Sequence, residues 1–233
     1  MSLYAYCLCD ELTPDALEAV AGLAGATPSL LWCDEIAAVV SEFDGDVVAV
    51  TRAHVLAHER VVGRVLAEVT PLPFRFGTLT SETRLRSYVA THTAALRAQL
   101  ERVRGCVEMS VKVIWREATE HEAAQPRAHA EASGAGTAFL EAKRRALLGE
   151  RAAQACAEEL ARWLTGRLAE VVRAEQLSVR PTGALVLAAA HLVERARLAE
   201  YRARLRQTLA ERAELHFLTS GPWPLYSFNQ ENP

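Results

Sequence analysis

At 233 residues, half of them apolar, the chain has material for one large core or two small ones of roughly 100 residues each, and two compact units is the expectation. A net charge of −3 gives no general attraction to nucleic acid or to an anionic membrane. The sequence has no basic-then-apolar leader at Met1 and no uninterrupted apolar stretch of about 18 residues, which points to a soluble, cytoplasmic chain.

In chain order, residues 3–9 read as a buried strand, and Thr13-Pro14-Asp15 starts a helix over about 13–23, with Thr13 as N-cap and Pro14 at the first helical position. The runs 29–32 and 36–43, separated by Cys33-Asp34-Glu35, form a hairpin. Thr51 caps a second helix to about residue 68, with Val55, Val62, Leu66 and Val69 at helical spacing. Residues 71–76 return as an edge strand, because proline cannot donate to a sheet ladder. This order is the ferredoxin-like βαββαβ pattern, assigned to an N-terminal domain at 1–79. One helix layer covers one face of such a sheet, so the other face needs a cover.

Leu85, Tyr88, Val89, His92, Leu96, Leu100 and Val103 make one helical stripe that Gly105 ends, giving a connecting helix at 80–105. Val107, Met109, Val111, Val113 and Trp115 then alternate with Glu108, Ser110 and Lys112, a half-buried strand with one polar face. Residues 116–136 lack large apolar side chains and read as an exposed insertion. A long helical region follows over 137–174, with Gly149 and Gly166 as possible breaks. After Arg180-Pro181-Thr182-Gly183, the run 184–193 suits a strand by pattern, although its alanines also allow a helix. A helix at 194–212 and a strand at 215–219 complete a C-terminal α+β domain at 106–219. The second half repeats the element order of the first in outline, and 71–76 is echoed by 222–228, which suggests an internal duplication.

Residues 1–140 hold 12 Lys/Arg against 18 Asp/Glu, whereas 141–214 hold 14 against 10. Solvated helix faces account for such a layout, and oriented docking of charged partners is the alternative. The five cysteines, Cys7, Cys9, Cys33, Cys106 and Cys156, are odd in number and most sit in apolar runs, as suits reduced buried thiols.

His54 and His58, four apart on a helix, share a face and with Glu59 are the best candidates for a metal-dependent enzyme. The Glu lies outside the pair, unlike His-Glu-x-x-His, and no third ligand is evident, so the helix-surface reading is preferred. Arg75, between Phe74 and Phe76, suits an anion, a carboxylate or an aromatic ring, and Gly77 lacks the companion glycines of a phosphate loop. His191, in its apolar run, reads as a core histidine. No catalytic, cofactor-binding or metal-ligating residue is assigned.

The chain closes on Ser220-Gly221-Pro222-Trp223-Pro224-Leu225-Tyr226-Ser227-Phe228, a stiff strap at 220–233 that is either tucked down or offered to a partner. This segment resembles the C-terminal signature of the gas vesicle protein F/L family, Thr-Gly-Pro-Trp-Pro-Pro-Tyr-Ser-Phe, with Ser220 and Leu225 replacing the Thr and the third Pro. The blocks His58-Glu59-Arg60-Val61-Val62, Pro71-Leu72-Pro73-Phe74-Arg75-Phe76-Gly77-Thr78, 107–115 and Ala190-His191-Leu192-Val193-Glu194-Arg195 are similar to family segments, in the same order. The resemblance favours the strand at 184–193. It implies an accessory or minor structural protein of gas vesicle assembly that contacts the major shell protein, gas vesicle protein A, and other accessory proteins, and a cytoplasmic or gas vesicle location. A scaffold for accessory proteins alone is the second reading. Arg75, Phe76, Gly77, Pro222, Trp223, Pro224, Tyr226 and Phe228 are the candidates for partner binding or for sealing a domain interface.

Overall fold

The computed structural model describes residues 2–114, 135–179 and 185–229. It divides into two compact units, one of Met1–Glu108, Glu194–Ala196 and Gly221–Pro233, the other of Met109–Val193 and Arg197–Ser220. Nearly all of the expected insertion at 116–136, Trp115 and the corner at 180–183 lie outside the described residues. No helix of the described residues is long and apolar enough to cross a membrane.

In the first unit, β1 (Ser2–Cys9), β2 (Ser29–Cys33), β3 (Ile36–Phe43) and β4 (Leu72–Pro73) form an antiparallel sheet in the order β2-β3-β1-β4. A short β5 (Leu79–Thr80) pairs β1 on the β4 side. Residues 4–9 of β1 are all buried, as a central strand covered on both faces requires. A bulge falls between Ala5 and Cys7, where the partner register steps only from Val40 to Val39. The extra residue, Tyr6, resets the two-residue alternation, so Tyr4, Tyr6, Cys7 and Cys9 enter one core with Ala37 and Val39.

Helix α1 (Arg52–Glu68) packs on that core through Ala57, His58, Val61, Val62 and Val65, and Thr51 caps it by accepting from the His54 N–H at 3.1 Å. Helix α2 (Glu82–Val103), capped by Ser81, contacts β1, β2 and β3. Its buried stripe of Leu85, Val89, Leu96, Leu100 and Val103 lies outside the α1 core and supplies the cover for the other sheet face. Gly105 ends the helix at φ +69°, a conformation that favours glycine.

The helix expected at 13–23 is a correction. Two short turns of 3-10 helix stand there, Pro14–Leu17 and Leu23–Gly25, and the Thr13 side chain makes no capping bond. The reason is tertiary: the buried Tyr6 hydroxyl accepts the Leu23 N–H at 2.8 Å, and Ala24 turns to φ +50°. Both are incompatible with a continuous helix through Gly22.

In the second unit, β6 (Cys106–Ile114), β7 (Ala174–Ser178), β8 (Leu185–Glu194) and β9 (His216–Trp223) form a sheet in the order β7-β8-β6-β9, with α3 (Ala135–Leu168) and α4 (Leu198–Ala210). Met109, Val111 and Val113 pack with Leu160, Leu164 and Leu168 of α3, Val186 and Leu187 of β8, and Tyr201 of α4. The chain order and the lateral strand order match those of the first unit, β9-β6-β8-β7 corresponding to β4-β1-β3-β2. Of the run at 184–193, the described residues, from Leu185 on, are a strand.

Three further differences have local causes. α3 runs unbroken through Gly149 and Gly166, where an added Cβ would meet nothing within 4 Å beyond the helix's own adjacent backbone, so each costs only its propensity of about 1 kcal/mol. β7, whose Ala-Glu-Gln-Leu-Ser sequence is poor in strand formers, is set by antiparallel pairing with β8. Glu108, read on a polar face, is buried. His191 is buried with its Nδ1 at 2.8 Å from the Tyr201 hydroxyl, while its Nε2 has no partner among the described residues.

Gly22→Ala tests the turn. Its new methyl would meet the Tyr6 hydroxyl and, at 2.9 Å, the Ala26 carbonyl oxygen. Unfolding in urea is expected to show a loss of about 1–3 kcal/mol.

Candidate functional site

The first unit gathers its polar chemistry where the C-terminal strap meets β1 and α1. The helical repeat that buries Ala57, Val61 and Val65 also carries His58 inward, where it is 1% exposed. Tyr6 stacks on the ring at 5.8 Å between centroids, and Tyr4 and Phe76 meet it edge-on at 5.7 and 5.9 Å. Tyr226 of the strap closes the box at 6.2 Å.

The hydrogen bonds fix the proton positions. The Tyr226 hydroxyl donates to Glu59 Oε1 at 2.9 Å, because a carboxylate only accepts. Its oxygen therefore receives the proton of His58 Nε2, 3.0 Å away. Nδ1 is then bare and accepts from the Tyr4 hydroxyl at 2.8 Å, and the Tyr4 oxygen accepts the Gly77 N–H at 3.2 Å. The result is one directed chain, from Gly77 through Tyr4, His58 and Tyr226 to Glu59. Gly77 serves it at φ +90°, in a turn where the Arg75 carbonyl accepts from the Thr78 N–H and hydroxyl.

The rest of the strap is held by main-chain and carboxylate contacts. Glu108 takes the Ser227 N–H at 2.8 Å on one oxygen and the Ser227 hydroxyl at 2.7 Å on the other. Gln99 Nε2 donates to the Phe228 carbonyl and to Asn229 Oδ1. Asn229 Nδ2 donates to the Pro73 carbonyl at 2.6 Å, so the strap occupies the β4 edge. Pro224, Leu225 and Phe228 are buried, and Leu225, which stands where the family signature has Pro, is fully enclosed. The strap begins with a cis Gly221-Pro222 peptide bond.

Burial sets the electrostatics. It lowers the His58 pKa to about 4, so the ring is neutral at physiological pH. It raises Tyr4 to about 12, against the opposing Gly77 bond, and raises Tyr226 further, with help from the Glu59 charge. Burial also raises Glu108, opposed by its two bonds to Ser227. Two phenols held protonated and one imidazole held neutral, all paired, form a clasp.

Of the residues singled out from sequence, Phe76, Gly77, Pro224, Tyr226 and Phe228 converge on this seat. Arg75 and Pro222 are exposed, and Trp223 is 44% exposed. The expectation that His58 lies on a helix surface beside His54 is corrected: His54 Nδ1 pairs with the Ala49 carbonyl at 2.9 Å, and both His58 nitrogens are engaged inside the core. Among the described residues no group of three His, Cys, Asp or Glu side chains is placed to hold a metal. Sequence reading missed Tyr4, Glu59 as an acceptor, Gln99, Glu108 and Asn229. The only signal for His58 was its position three after Val55 and four before Val62, in phase with the apolar stripe.

Tyr226→Phe strands the Glu59 oxygen and the His58 N–H together. A loss of about 1–3 kcal/mol is expected in urea unfolding, together with earlier proteolytic release of the strap. The buried histidine also makes stability depend on acid. Its folded pKa of about 4 lies below the ordinary 6.5, so as pH falls below 6.5 the unfolded ring takes up a proton that the folded one refuses. Its contribution is intact above pH 6.5 and declines by about 1.4 kcal/mol per pH unit until pH nears 4. His191, also lowered to about 4 by burial, adds to the slope, so the urea midpoint of His58→Phe is expected to fall less steeply with acid than that of the unsubstituted chain.

The family model described as Gas vesicle synthesis protein GvpL/GvpF matches residues 2–230. The crystal structure of the gas vesicle protein GvpF from Anabaena sp. PCC7120 superposes with a TM-score of 0.79 at 20% identity, over 100% of this chain and 97% of that one. That of GvpF from Microcystis aeruginosa gives 0.76 at 18% identity, over 99% of both. At these identities the structural likeness speaks for the fold. No curated protein sequence matches the chain significantly.

Proposed function

The chain belongs to the gas vesicle synthesis protein GvpL/GvpF family, and on that premise we propose that it is an accessory assembly factor that binds the major shell protein, gas vesicle protein A. The role supported is chaperone, adaptor or nucleation factor, with other gas vesicle accessory proteins as further partners. A small apolar subunit that polymerises through strand edges aggregates if it is released unescorted. A folded partner that offers an open sheet edge covers such a subunit reversibly.

The observation that carries this reading is the state of the two edges of the first unit's sheet. The strap sits on the β4 edge, whereas β2 ends the sheet on the other side with Trp32 42% exposed. The first unit is therefore the docking surface we favour. Arg75, Pro222 and Trp223, exposed beside the clasp, are candidate contact residues, and Phe76, Gly77, Pro224, Tyr226 and Phe228 keep the strap in place for them.

Co-expression with gas vesicle protein A tests the proposal. Soluble shell protein that co-elutes with this chain is the expected outcome. Shell protein that aggregates while this chain elutes without it would contradict direct capture and favour a scaffold acting through other accessory proteins.

A further inference from the structure

The β2 edge has a defined recognition chemistry. β2 pairs with β3 through Ser29, Leu30, Leu31, Trp32 and Cys33, the last opposite Ile36 across a two-residue turn at Asp34 and Glu35. The Trp32 carbonyl does not serve that ladder: it accepts from Arg86 Nη1 of α2 at 2.7 Å. In an antiparallel strand the N–H and C=O of one residue point the same way, and alternate residues share a side. Trp32 and Leu30 thus turn both main-chain groups outward, and among the described residues no strand pairs β2 there. Three of these four groups have no partner among the described residues, and the fourth is plugged by an exposed side chain that Glu82 tethers at 2.8 Å.

Such a row selects extended backbone, and the half-buried Leu30 and exposed Trp32 select apolar side chains on it. Charge sets the direction. Beside the turn lies a groove of about 500 Å³ in which Asp10, Glu11, Glu35 and Glu101 outnumber Arg97 and Arg104, and Asp34 is exposed at the same turn. Both arginines are already engaged with these carboxylates, Arg97 with Glu35 at 2.7 Å and Arg104 with Asp10, Glu11 and Glu101 at 2.7, 3.1 and 3.0 Å, so four carboxylates share two guanidinium charges and negative charge is in surplus.

We infer that the β2 edge accepts, by strand addition, an extended apolar segment that carries a lysine or arginine at the end lying beside the 34–35 turn. This rests on the function proposed above, the segment being supplied by the shell protein. Arg86 is the gate: it blunts the edge in the free chain and yields the Trp32 carbonyl to the incoming strand.

The test is hydrogen exchange on the full chain, free and co-purified with gas vesicle protein A, with Trp32→Lys and Leu30→Pro captured in parallel. Of the main-chain groups, proline at 30 removes only an outward N–H and so leaves the β3 ladder intact, while Trp32→Lys keeps the half-buried Leu30 side chain that the proline variant loses. The expected result is exchange at Leu30 and Trp32 at least about tenfold slower in the complex, with capture reduced about tenfold or more in both variants. A wild-type complex in which these amides stay unprotected and both variants capture normally overturns the β2 assignment and leaves the proposed function standing. Absence of any complex overturns both. Protection of Leu30 and Trp32 in the free chain, accompanied by dimer in sedimentation, assigns the edge to a second copy and also overturns the inference.

Discussion

A neutral histidine buried between two tyrosines is the constraint on which the first unit depends. His58 makes two hydrogen bonds of opposite sense, to residues 54 and 168 positions away, and thereby joins the first strand to the C-terminal strap. A chain of bonds with one direction has one solution for its protons, and removing a link leaves buried polar atoms with no substitute. The β1 bulge belongs to the same design. In an unbulged strand Tyr4 and Tyr6 would share one face and Cys7 and Cys9 the other; the bulge brings all four into the core that surrounds His58.

The strap is thus part of the first unit's structure. Glu108, Gln99 and the Pro73 carbonyl engage Ser227, Phe228 and Asn229, and Leu225 and Phe228 fill the core beneath. A proline-rich segment suits this duty because it loses little backbone entropy on docking and has few N–H groups to satisfy. What remains at the surface, Pro222 and Trp223, adjoins the clasped residues 224–229, and its proline lowers the entropic cost of any contact it makes. The two sheet edges are managed differently: one lies under the strap, and the other is blunted only by an arginine.

Legibility in the sequence followed the range of the interactions. Thr51 and Ser81 announce helix starts through bonds to residues three positions on, and the stripe from Leu85 to Val103 was plain for the same local reason. The α+β class and the paired element orders were legible too, because they follow from periodicity. The segment at 13–23 carries good helix signals, yet a hydroxyl from a neighbouring strand claims the Leu23 N–H and the helix does not form. β7 exists through its neighbour, its own residues being poor strand formers. Glu108 looked like one more polar residue in an alternating strand, and only Ser227, 119 positions later, explains why a carboxylate is buried there. The Gly-Pro-Trp-Pro block identified the family without revealing that its Tyr226 is a bridge and its Trp223 an exposed face.

The most direct test of this account is the imidazole nitrogen-15 spectrum of His58 in the full chain at neutral pH. The directed chain of bonds requires a neutral ring protonated on Nε2, with Nδ1 shifted as an acceptor and with Tyr226→Phe perturbing the Nε2 resonance. A charged ring, or a neutral ring protonated on Nδ1, would contradict the directed chain and with it the assignment of the strap as a clasp.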